Sequence, residues 1–293
     1  TFSQGFYNTN DAGLSLNYKG KKVTFFSNVS GHEGLLYNET LNENHVTFDG
    51  RTTTLNQKAY EVSAGKWMTI DLGADWYVDK KNTIGIKGQF VPGKAMRTFN
   101  GNTYMSDNSL GYNRLLYNRP VGNDWFFANF NVNAEHIFDT VENTKLKFST
   151  DYYGPYYDNY YALYQNRFIG SNGLDTVSPQ IFRSTNLIGV NIFASRLDFE
   201  TKFAKDLSLE AGVKYSDQSS WSDYTLENQN ELTGDYVVDS MFTNKFKYNE
   251  QISSGYISID KQYKKINFRL GLRGENTNVQ TESVTSSIKF NRN

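Results

Sequence analysis

The 293-residue chain has no cysteine, no long apolar run and almost no net charge. The absence of cysteine excludes disulfides, thiolate metal sites and cysteine nucleophiles. Because no stretch reaches about 18 consecutive apolar residues, a transmembrane helix is excluded as well. The formal net charge of -1 argues against a nucleic-acid-binding protein that works through a basic surface.

Hydrophobic residues are scarce, whereas aromatic residues are abundant. Mean hydropathy is -0.62 and hydrophobic residues make up 38% of the chain, so no ordinary large aliphatic core is evident. Aromatic residues reach 16%, which is unlike an intrinsically disordered chain. The combination is typical of a transmembrane β-barrel, because only every second strand residue meets lipid and aromatic girdles mark both interfaces.

Short charged turns recur at intervals of about 60 residues, and polar segments of roughly 30 residues separate the strand-like runs beside them. Within these runs apolar and polar residues alternate, as the period-two geometry of a strand requires. In 67–78, for example, Ile70 and Leu72 alternate with Asp71 and Asp75. The turns lie near residues 19–22, 79–82, 139–144, 204–206 and 261–265.

This rhythm predicts an all-β fold, an antiparallel up-and-down transmembrane β-barrel of the bacterial outer membrane. The runs give ten strands, each near the length of about 9–11 residues that a tilted strand needs to cross the bilayer. We expect one domain over residues 1–293. Long extracellular loops are predicted near 33–66, 91–123, 154–185 and 218–245, some of them continuing as hairpins above the membrane.

In one strand-like run the apolar phase slips. Ile188 and Ile192 occupy even positions, whereas Leu197 and Phe199 occupy odd positions. A single β-bulge near Phe193–Arg196 would shift the register by one residue and explain the change.

The second face of several strands is polar and charged. Such residues would be costly in a dry core unless every group found a partner, whereas facing a wet lumen costs little. We therefore predict that the residues of this face point into a lumen. The candidates are Asp71, Asp75, Glu135, Arg269, Arg273 and Glu275.

Three passages, in order, carry a resemblance: IDLGADWYVDKKNTIGIKGQF, LDFETKFAKDLSLEAGVKYS and FKYNEQISSGYISIDKQYKKINFRLGLRGENT. They resemble strand–turn–strand phrases in the β-barrel of Bacteroidetes TonB-dependent receptors, the outer membrane protein beta-barrel family. The likeness spans roughly residues 65–290. It implies a barrel of about twenty-two strands that is filled by a plug domain. Ten strands without a plug-like segment, a TonB box or a terminal aromatic residue then suggest a middle piece of a larger barrel.

The resemblance also implies a function and partners. The expected function is import of a large or scarce nutrient, such as a glycan, a peptide, a metal chelate or a cobalamin-like ligand. The implied partners are outer-membrane lipid, the plug domain and TonB, and the charged inner residues would contact the plug or line a path. The alternative is a non-transporting scaffold subunit whose loops dock surface lipoproteins.

Candidate chemistry along the chain is sparse. Only three histidines occur (His32, His45 and His136), and none stands in an Asp-x-His pair, so we predict no enzyme activity, no metal site and no cofactor. The segment 151–165 holds seven tyrosines. Beyond the two that belong to an aromatic girdle, five are either more of that girdle or a ligand or partner surface. These five are Tyr156, Tyr157, Tyr160, Tyr161 and Tyr164.

Overall fold

Most of the chain is β-strand. The computed structural model describes residues 2–4, 8–106, 113–139, 144–175, 179–204, 206–263 and 266–292, and for residues 2–4, 48, 51, 155–157 and 159 it describes the backbone alone. Among these residues no helix has the length and apolar character that crossing a membrane would require. The strands are β1 (Phe2–Gln4), β2 (Asn10–Lys19), β3 (Val23–Phe48), β4 (Arg51–Tyr77), β5 (Asn82–Met105), β6 (Arg114–Asp139), β7 (Thr144–Ile169), β8 (Gln180–Ala204), β9 (Leu207–Gln229), β10 (Tyr236–Val238), β11 (Asn244–Tyr263), β12 (Ile266–Ser283) and β13 (Ile288–Arg292).

All of these strands belong to one antiparallel sheet in which each long strand pairs with the next along the chain. The short strand β10 pairs back onto β9, and β11 then continues the sheet from β9. The all-β, antiparallel up-and-down architecture predicted from the sequence is therefore confirmed. The ten predicted strands correspond to the ten long ones, and the short β1, β10 and β13 add to that number.

The strands are much longer than a membrane requires. From β3 to β9 they contain 23 to 27 residues, a length of about 75–90 Å at 3.3 Å per residue. Most of each segment predicted as a loop is in fact paired strand. We call the strand residues of these four segments, 33–66, 91–123, 154–185 and 218–245, the extension.

The hairpin of β3 and β4 shows how the extension is built. Its strands pair continuously up to Phe48 and Arg51, and a two-residue turn at Asp49 and Gly50 joins them. Both turn residues have positive φ, 48° and 74°, as a tight turn matched to the twist of a hairpin needs. The sequence pattern missed this pairing because outside the membrane neither face of a strand has to be apolar.

The register separates two faces of the sheet. Ile70 lies opposite Val29 and Phe90, and we call their face the outer face. Asp71 lies opposite Gln89, and we call that face the inner face. Few apolar side chains are buried, as expected for a single-layer sheet, and Leu270 and Leu272 on the outer face are 75% and 76% exposed. Leaving such side chains in water costs roughly 1.5–3 kcal/mol each, so the outer face requires an apolar solvent.

The bulge lies in β7 and not where the sequence predicted it. Strand β8 pairs with β9 without a shift through Phe193–Arg196, so the predicted bulge there is wrong. The register shifts instead between Tyr153 and Tyr156 of β7, at the sequence Gly154-Pro155. Gly154 has φ 142°, a conformation that favours glycine.

The apolar slip in β8 has another cause. From Ile188 to Phe199 the alternation of β8 continues without a shift, which leaves Ile188 and Ile192 on the inner face and Leu197 and Phe199 on the outer face. We call the stretch of the outer face between the short turns and the extension the apolar band. Leu197 and Phe199 lie in this band, whereas Ile188 and Ile192 lie at its border with the extension or beyond that border. The change of phase in the sequence therefore reflects a change of surroundings along the strand.

Aromatic rings lie across glycines of the neighbouring strand at several places in the sheet. In each pair the two residues are direct cross-strand partners, and a Cβ at the glycine would overlap the ring. Because the glycine has no side chain, the ring packs flat against the glycine backbone, and this contact fixes the orientation of the ring. The pairs are Phe26 with Gly73, Trp125 with Gly93, Tyr117 with Gly101 and Trp221 with Gly189.

The two ends of the sheet remain open in the described part of the chain. Strand β1 covers only Asn10 to Ala12 of β2, and β13 covers only Val279 to Ser283 of β12. The remaining outward edges of β2 and β12 have no partner among the described residues, and the two edges do not pair with each other.

Substituting Gly93 tests the packing of aromatic rings on glycines. We expect Gly93→Ala to destabilise the folded protein by about 1–3 kcal/mol, because the new methyl group must displace the Trp125 indole. The matched control is Gly122→Ala, since nothing lies within 4 Å of a Cβ built there. Urea unfolding of the detergent-folded protein measures both variants, and equal stabilities would contradict the assigned contact.

Candidate functional site

The six predicted lumen residues all lie on the inner face. Asp71 accepts hydrogen bonds from Gln89 Nε2 at 2.8 Å and from Asn28 Nδ2 at 3.5 Å. Glu135 lies opposite Lys147 on the neighbouring strand. A lumen or plug contact for these residues stays a prediction, but the register places them on one continuous polar surface.

A connected group of polar side chains on the inner face joins β8, β9, β11 and β12 around Tyr256. The Tyr256 hydroxyl contacts Asp198, lies 2.9 Å from Glu210 Oε1 and accepts a hydrogen bond from Arg196 Nη2 at 3.1 Å. Arg196 Nε lies 2.5 Å from Asp198 Oδ2, and Arg269 Nη2 donates to Glu210 Oε2 at 2.9 Å. We call these five residues the Tyr256 cluster.

Charge balance explains why the Tyr256 cluster is tolerated. Asp198 is only 6% exposed, and a buried carboxylate is costly unless a charged or hydrogen-bonding partner compensates it. Two arginines balance the two carboxylates, and the phenol lies between them. Gly212 faces both Asp198 and Tyr256 on the opposing strands, and its missing side chain leaves them room.

Sequence reasoning named Arg269 but missed the other members of the Tyr256 cluster. The signal was present, because Asp198 and Glu210 alternate with apolar neighbours just as Asp71 does. The alternation along one strand does not reveal which residues of neighbouring strands lie opposite each other. Only the register shows that Arg196 and Tyr256, 60 residues apart, meet across the sheet.

The five tyrosines of the predicted surface do not form one cluster. Tyr160 and Tyr164 lie on the inner face of β7, whereas Tyr161 lies on the outer face and is 42% exposed. The side chains of Tyr156 and Tyr157 lie outside the described part of the structure. A ligand or partner role for the five stays a prediction.

The inner-face tyrosines belong to a stacked group. Tyr164 stacks on Phe182 with ring centroids 4.4 Å apart, and the Arg119 guanidinium lies 4.4 Å from the centroid of the Tyr164 ring. Burial raises the pKa of the Tyr160 phenol, and the neighbouring Tyr164 raises it further. This group gives the extension an aromatic surface that is continuous with the inner face below.

The histidines are dispersed. His32 Nδ1 lies 2.6 Å from Asp11 Oδ1 and its ring stacks on Trp67. His136 pairs with Asn82 near a short turn, and His45 lies 3.2 Å from Glu43 in the extension. Within the described ranges, no three His, Asp or Glu side chains come together in a group that could hold a metal ion.

An ion pair fastens the extension of β8 to that of β9. Arg183 donates two hydrogen bonds to Glu227, at 2.5 and 3.1 Å, and its guanidinium lies over the Tyr236 ring at 4.2 Å. The bidentate contact holds the pKa of the Glu227 carboxyl below its ordinary value. The short strand β10 is thereby tied to the same contact.

A comparison with family models decides the family. The model described as the outer membrane protein beta-barrel family matches residues 136–293, which is more than half of the chain. The chain belongs to the outer membrane protein beta-barrel family. The match begins at the end of β6, and β1 to β6 continue the same sheet. No curated protein and no solved structure gives a significant match.

Family membership places the protein in the bacterial outer membrane. The apolar outer face then meets lipid, as its exposed leucines and aromatic residues require. Tyr18, Trp76 and Phe203 lie near the short turns, and Tyr152 and Tyr215 lie at the opposite border, so the apolar band is flanked by aromatic residues on both sides.

Arginine variants test the Tyr256 cluster. We expect Arg196→Met to destabilise the protein by about 1–3 kcal/mol, because it leaves the buried Asp198 carboxylate without its cation. Arg273→Met is the matched control on the same face. Arg273 is as exposed as Arg196, but its partner Glu275 is far more exposed than Asp198, so the loss of Arg273 should cost less than about 1 kcal/mol.

Unfolding in urea, followed by intrinsic fluorescence, measures both arginine variants. The double variant Arg196→Met, Asp198→Leu should recover part of the loss, because both charges are gone. Equal effects of Arg196→Met and Arg273→Met would contradict the special burial of the cluster.

Acid should loosen the extension of β8 and β9. Because the pKa of Glu227 is lowered in the folded state, its pairing with Arg183 is intact above the ordinary carboxyl pKa and is lost as pH falls through the lower folded value. Amide exchange near Glu227, corrected for intrinsic rates, should accelerate roughly twofold to fivefold between pH 6 and pH 3. Arg183→Met should exchange faster at pH 6 and change little on acidification. If amide exchange in this variant accelerated on acidification as much as it does in the wild type, the assignment to the pair of Arg183 and Glu227 would be contradicted.

Proposed function

We propose that this protein supplies the barrel of a TonB-dependent transporter in a Bacteroidetes-like bacterium. Its cargo would be a large or scarce nutrient, such as a glycan, a peptide, a metal chelate or a cobalamin-like ligand. The observation that carries the proposal is an open sheet of ten long strands with a polar inner face. Because this sheet stays open among the described residues, further strands are needed to close it, and wide barrels enclose a channel or a plugged lumen.

The open edges support the larger barrel. Strand β2 runs toward a short turn and β12 runs away from one, so both edges lie at the level of the apolar band. The backbone N–H and C=O groups of an unpaired edge cannot be satisfied by lipid, and each would cost several kcal/mol. Further strands of a barrel with about twenty-two in total would cover both edges.

The inner face would carry the contacts of transport. We propose that the plug domain packs against the polar surface that includes Asp71, Asp75 and Glu135. Arg273 and Glu275 are about half exposed, and within the described ranges each forms an ion pair only with the other, so they remain available to a plug. The barrel itself would be passive, without catalysis, a cofactor or a metal, and TonB would act on the plug.

We propose that the extension binds the ligand above the membrane. Tyr160 and Tyr164 line the inner face there, next to Arg119 and Phe182. Rigid aromatic rings with polar edges suit sugars, peptides and ring-shaped ligands. The outward-facing Tyr161 would not share this role.

A scaffold function is the second candidate, and the length of the extension favours it. Four hairpins rise beyond the apolar band and offer a surface on which lipoproteins could dock. A scaffold predicts a stoichiometric partner and no nutrient phenotype.

Uptake by intact cells tests the transporter. A panel of labelled oligosaccharides, peptides, ferric chelates and cobalamin is offered to cells with and without TonB. At least one probe should enter only when both this protein and TonB are present. If no probe does so and a lipoprotein copurifies in equal amount, the scaffold replaces the transporter.

Paired tyrosine variants locate the ligand surface. The double variant Tyr160→Ala, Tyr164→Ala should reduce uptake of the accepted probe about tenfold or more, as loss of aromatic contacts in a binding site does. Tyr161→Ala, on the opposite face of the same strand, is the matched control and should transport normally. Surface levels of each variant are measured by antibody labelling. Equal uptake by all of them would remove the tyrosines from the ligand path.

A further inference from the structure

A groove of about 380 Å³ opens on the outer face where β7, β8, β9, β11 and β12 leave the apolar band. Amides dominate its walls, Asp217 is the one charged residue that lines it within the described structure, and no lysine or arginine does so there. Tyr152 and Phe193 form its lower edge. The five amides are Asn191, Asn249, Gln251, Asn278 and Gln280.

The register makes these amides a continuous patch. Asn191, Ser219, Asn249 and Gln280 form one row of cross-strand neighbours. Directly below, Gln251 lies opposite Asn278 in the next row on the same face. The patch therefore points away from the polar inner face and cannot belong to the path proposed for a nutrient.

The groove begins where the apolar band ends. Two rows below Gln251 and Asn278, Leu197 and Val213 face lipid. Between them lies Tyr215, whose ring centroid is 6.4 Å from that of Phe193. Aromatic rings of this kind mark the membrane interface. The patch lies on the side of the long hairpins, which is the extracellular side in the orientation of the proposed function.

The chemistry of the groove suits neutral hydroxyl-rich groups. Each amide offers two N–H donors and a carbonyl acceptor. In the described part of the chain only Asn191 among the five has a side-chain hydrogen bond within the protein, which its Oδ1 accepts from the Tyr152 hydroxyl at 3.1 Å. The aromatic edge adds an apolar surface for the C–H face of a ring. Without a lysine or arginine the groove lacks the cations that a phosphate would need.

We propose that this groove binds the saccharide headgroup of a glycolipid in the outer leaflet. The proposal rests on the orientation given above but not on transport. A groove that faces lipid at headgroup level meets headgroups before any free solute, which favours the glycolipid over a soluble sugar. One bound headgroup would hold a lipid molecule against β8 to β12.

Retention of lipid by the purified full-length protein tests the proposal. The protein is extracted from outer membranes in mild detergent, and the glycolipid that remains bound is quantified by mass spectrometry. Gln251→Leu combined with Asn278→Leu should lower the retained glycolipid about tenfold, because the pair loses its donors and acceptors. Gln218→Leu is the matched control, since Gln218 neighbours Asp217 in sequence but lies on the inner face.

Competition distinguishes the source of the ligand. Glycolipid isolated from the same bacterium and its delipidated oligosaccharide should both compete with bound lipid, the intact molecule more strongly, whereas phosphatidylglycerol should not. The proposal would be overturned if phosphatidylglycerol competed as strongly as the glycolipid. It would also be overturned if the free oligosaccharide competed as strongly as the intact glycolipid. A copurifying protein that is lost in the double variant while glycolipid is retained would overturn it as well.

A second double variant tests whether a loss of glycolipid results only from misfolding. Gln251→Ala with Asn278→Ala removes the same groups without adding apolar bulk, and heat-dependent gel migration reports whether each variant is folded. Folded variants that retain normal glycolipid would refute the site. The assay needs no uptake, so a failed transport experiment leaves it intact, and its own failure says nothing against transport.

Discussion

The requirement that backbone polar groups be satisfied in lipid is the constraint on which the rest of this structure depends. Water is absent from the bilayer core, so each strand there must pair on both sides. The sheet meets this demand internally for the long strands from β3 to β11, each of which has a neighbour on both sides. Once all residues are committed to strands, alternation follows, and with it an apolar outer face and a polar inner face.

Each long strand passes through two solvents. Within the band, the outer positions hold Leu, Ile, Val and aromatic residues, and the inner positions hold amides and charges that pair with one another, as in the Tyr256 cluster. In the extension both faces meet water, and pairing continues through ion pairs and rings instead of apolar packing. The contact of Arg183 with Glu227 and the stack of Tyr164 on Phe182 are examples.

The features that depend on alternation along one strand could be predicted from the sequence, whereas those that depend on the register between strands could not. The short turns, the ten long strands and the face of Asp71 follow from period-two patterning, because lipid enforces it. The extension was interpreted as extracellular loops, some of them continuing as hairpins, but its strands were not located, since Asn-, Thr- and Tyr-rich pairing outside lipid leaves no such pattern. The bulge at Gly154-Pro155 was assigned to the neighbouring strand. Tyr256 was missed because only cross-strand pairing brings it to Asp198.

The sequential order of pairing has a consequence for folding. Every long strand binds the strand that precedes or follows it among the long strands, so the contacts join residues that are close along the chain. Folding rates fall as contacting residues become more distant in sequence, and here each hairpin can form without waiting for a distant part of the chain. The hairpin is then the unit of growth as well. A pair of strands can be duplicated or deleted without rewiring any other pair, which gives a simple route to barrels of different circumference.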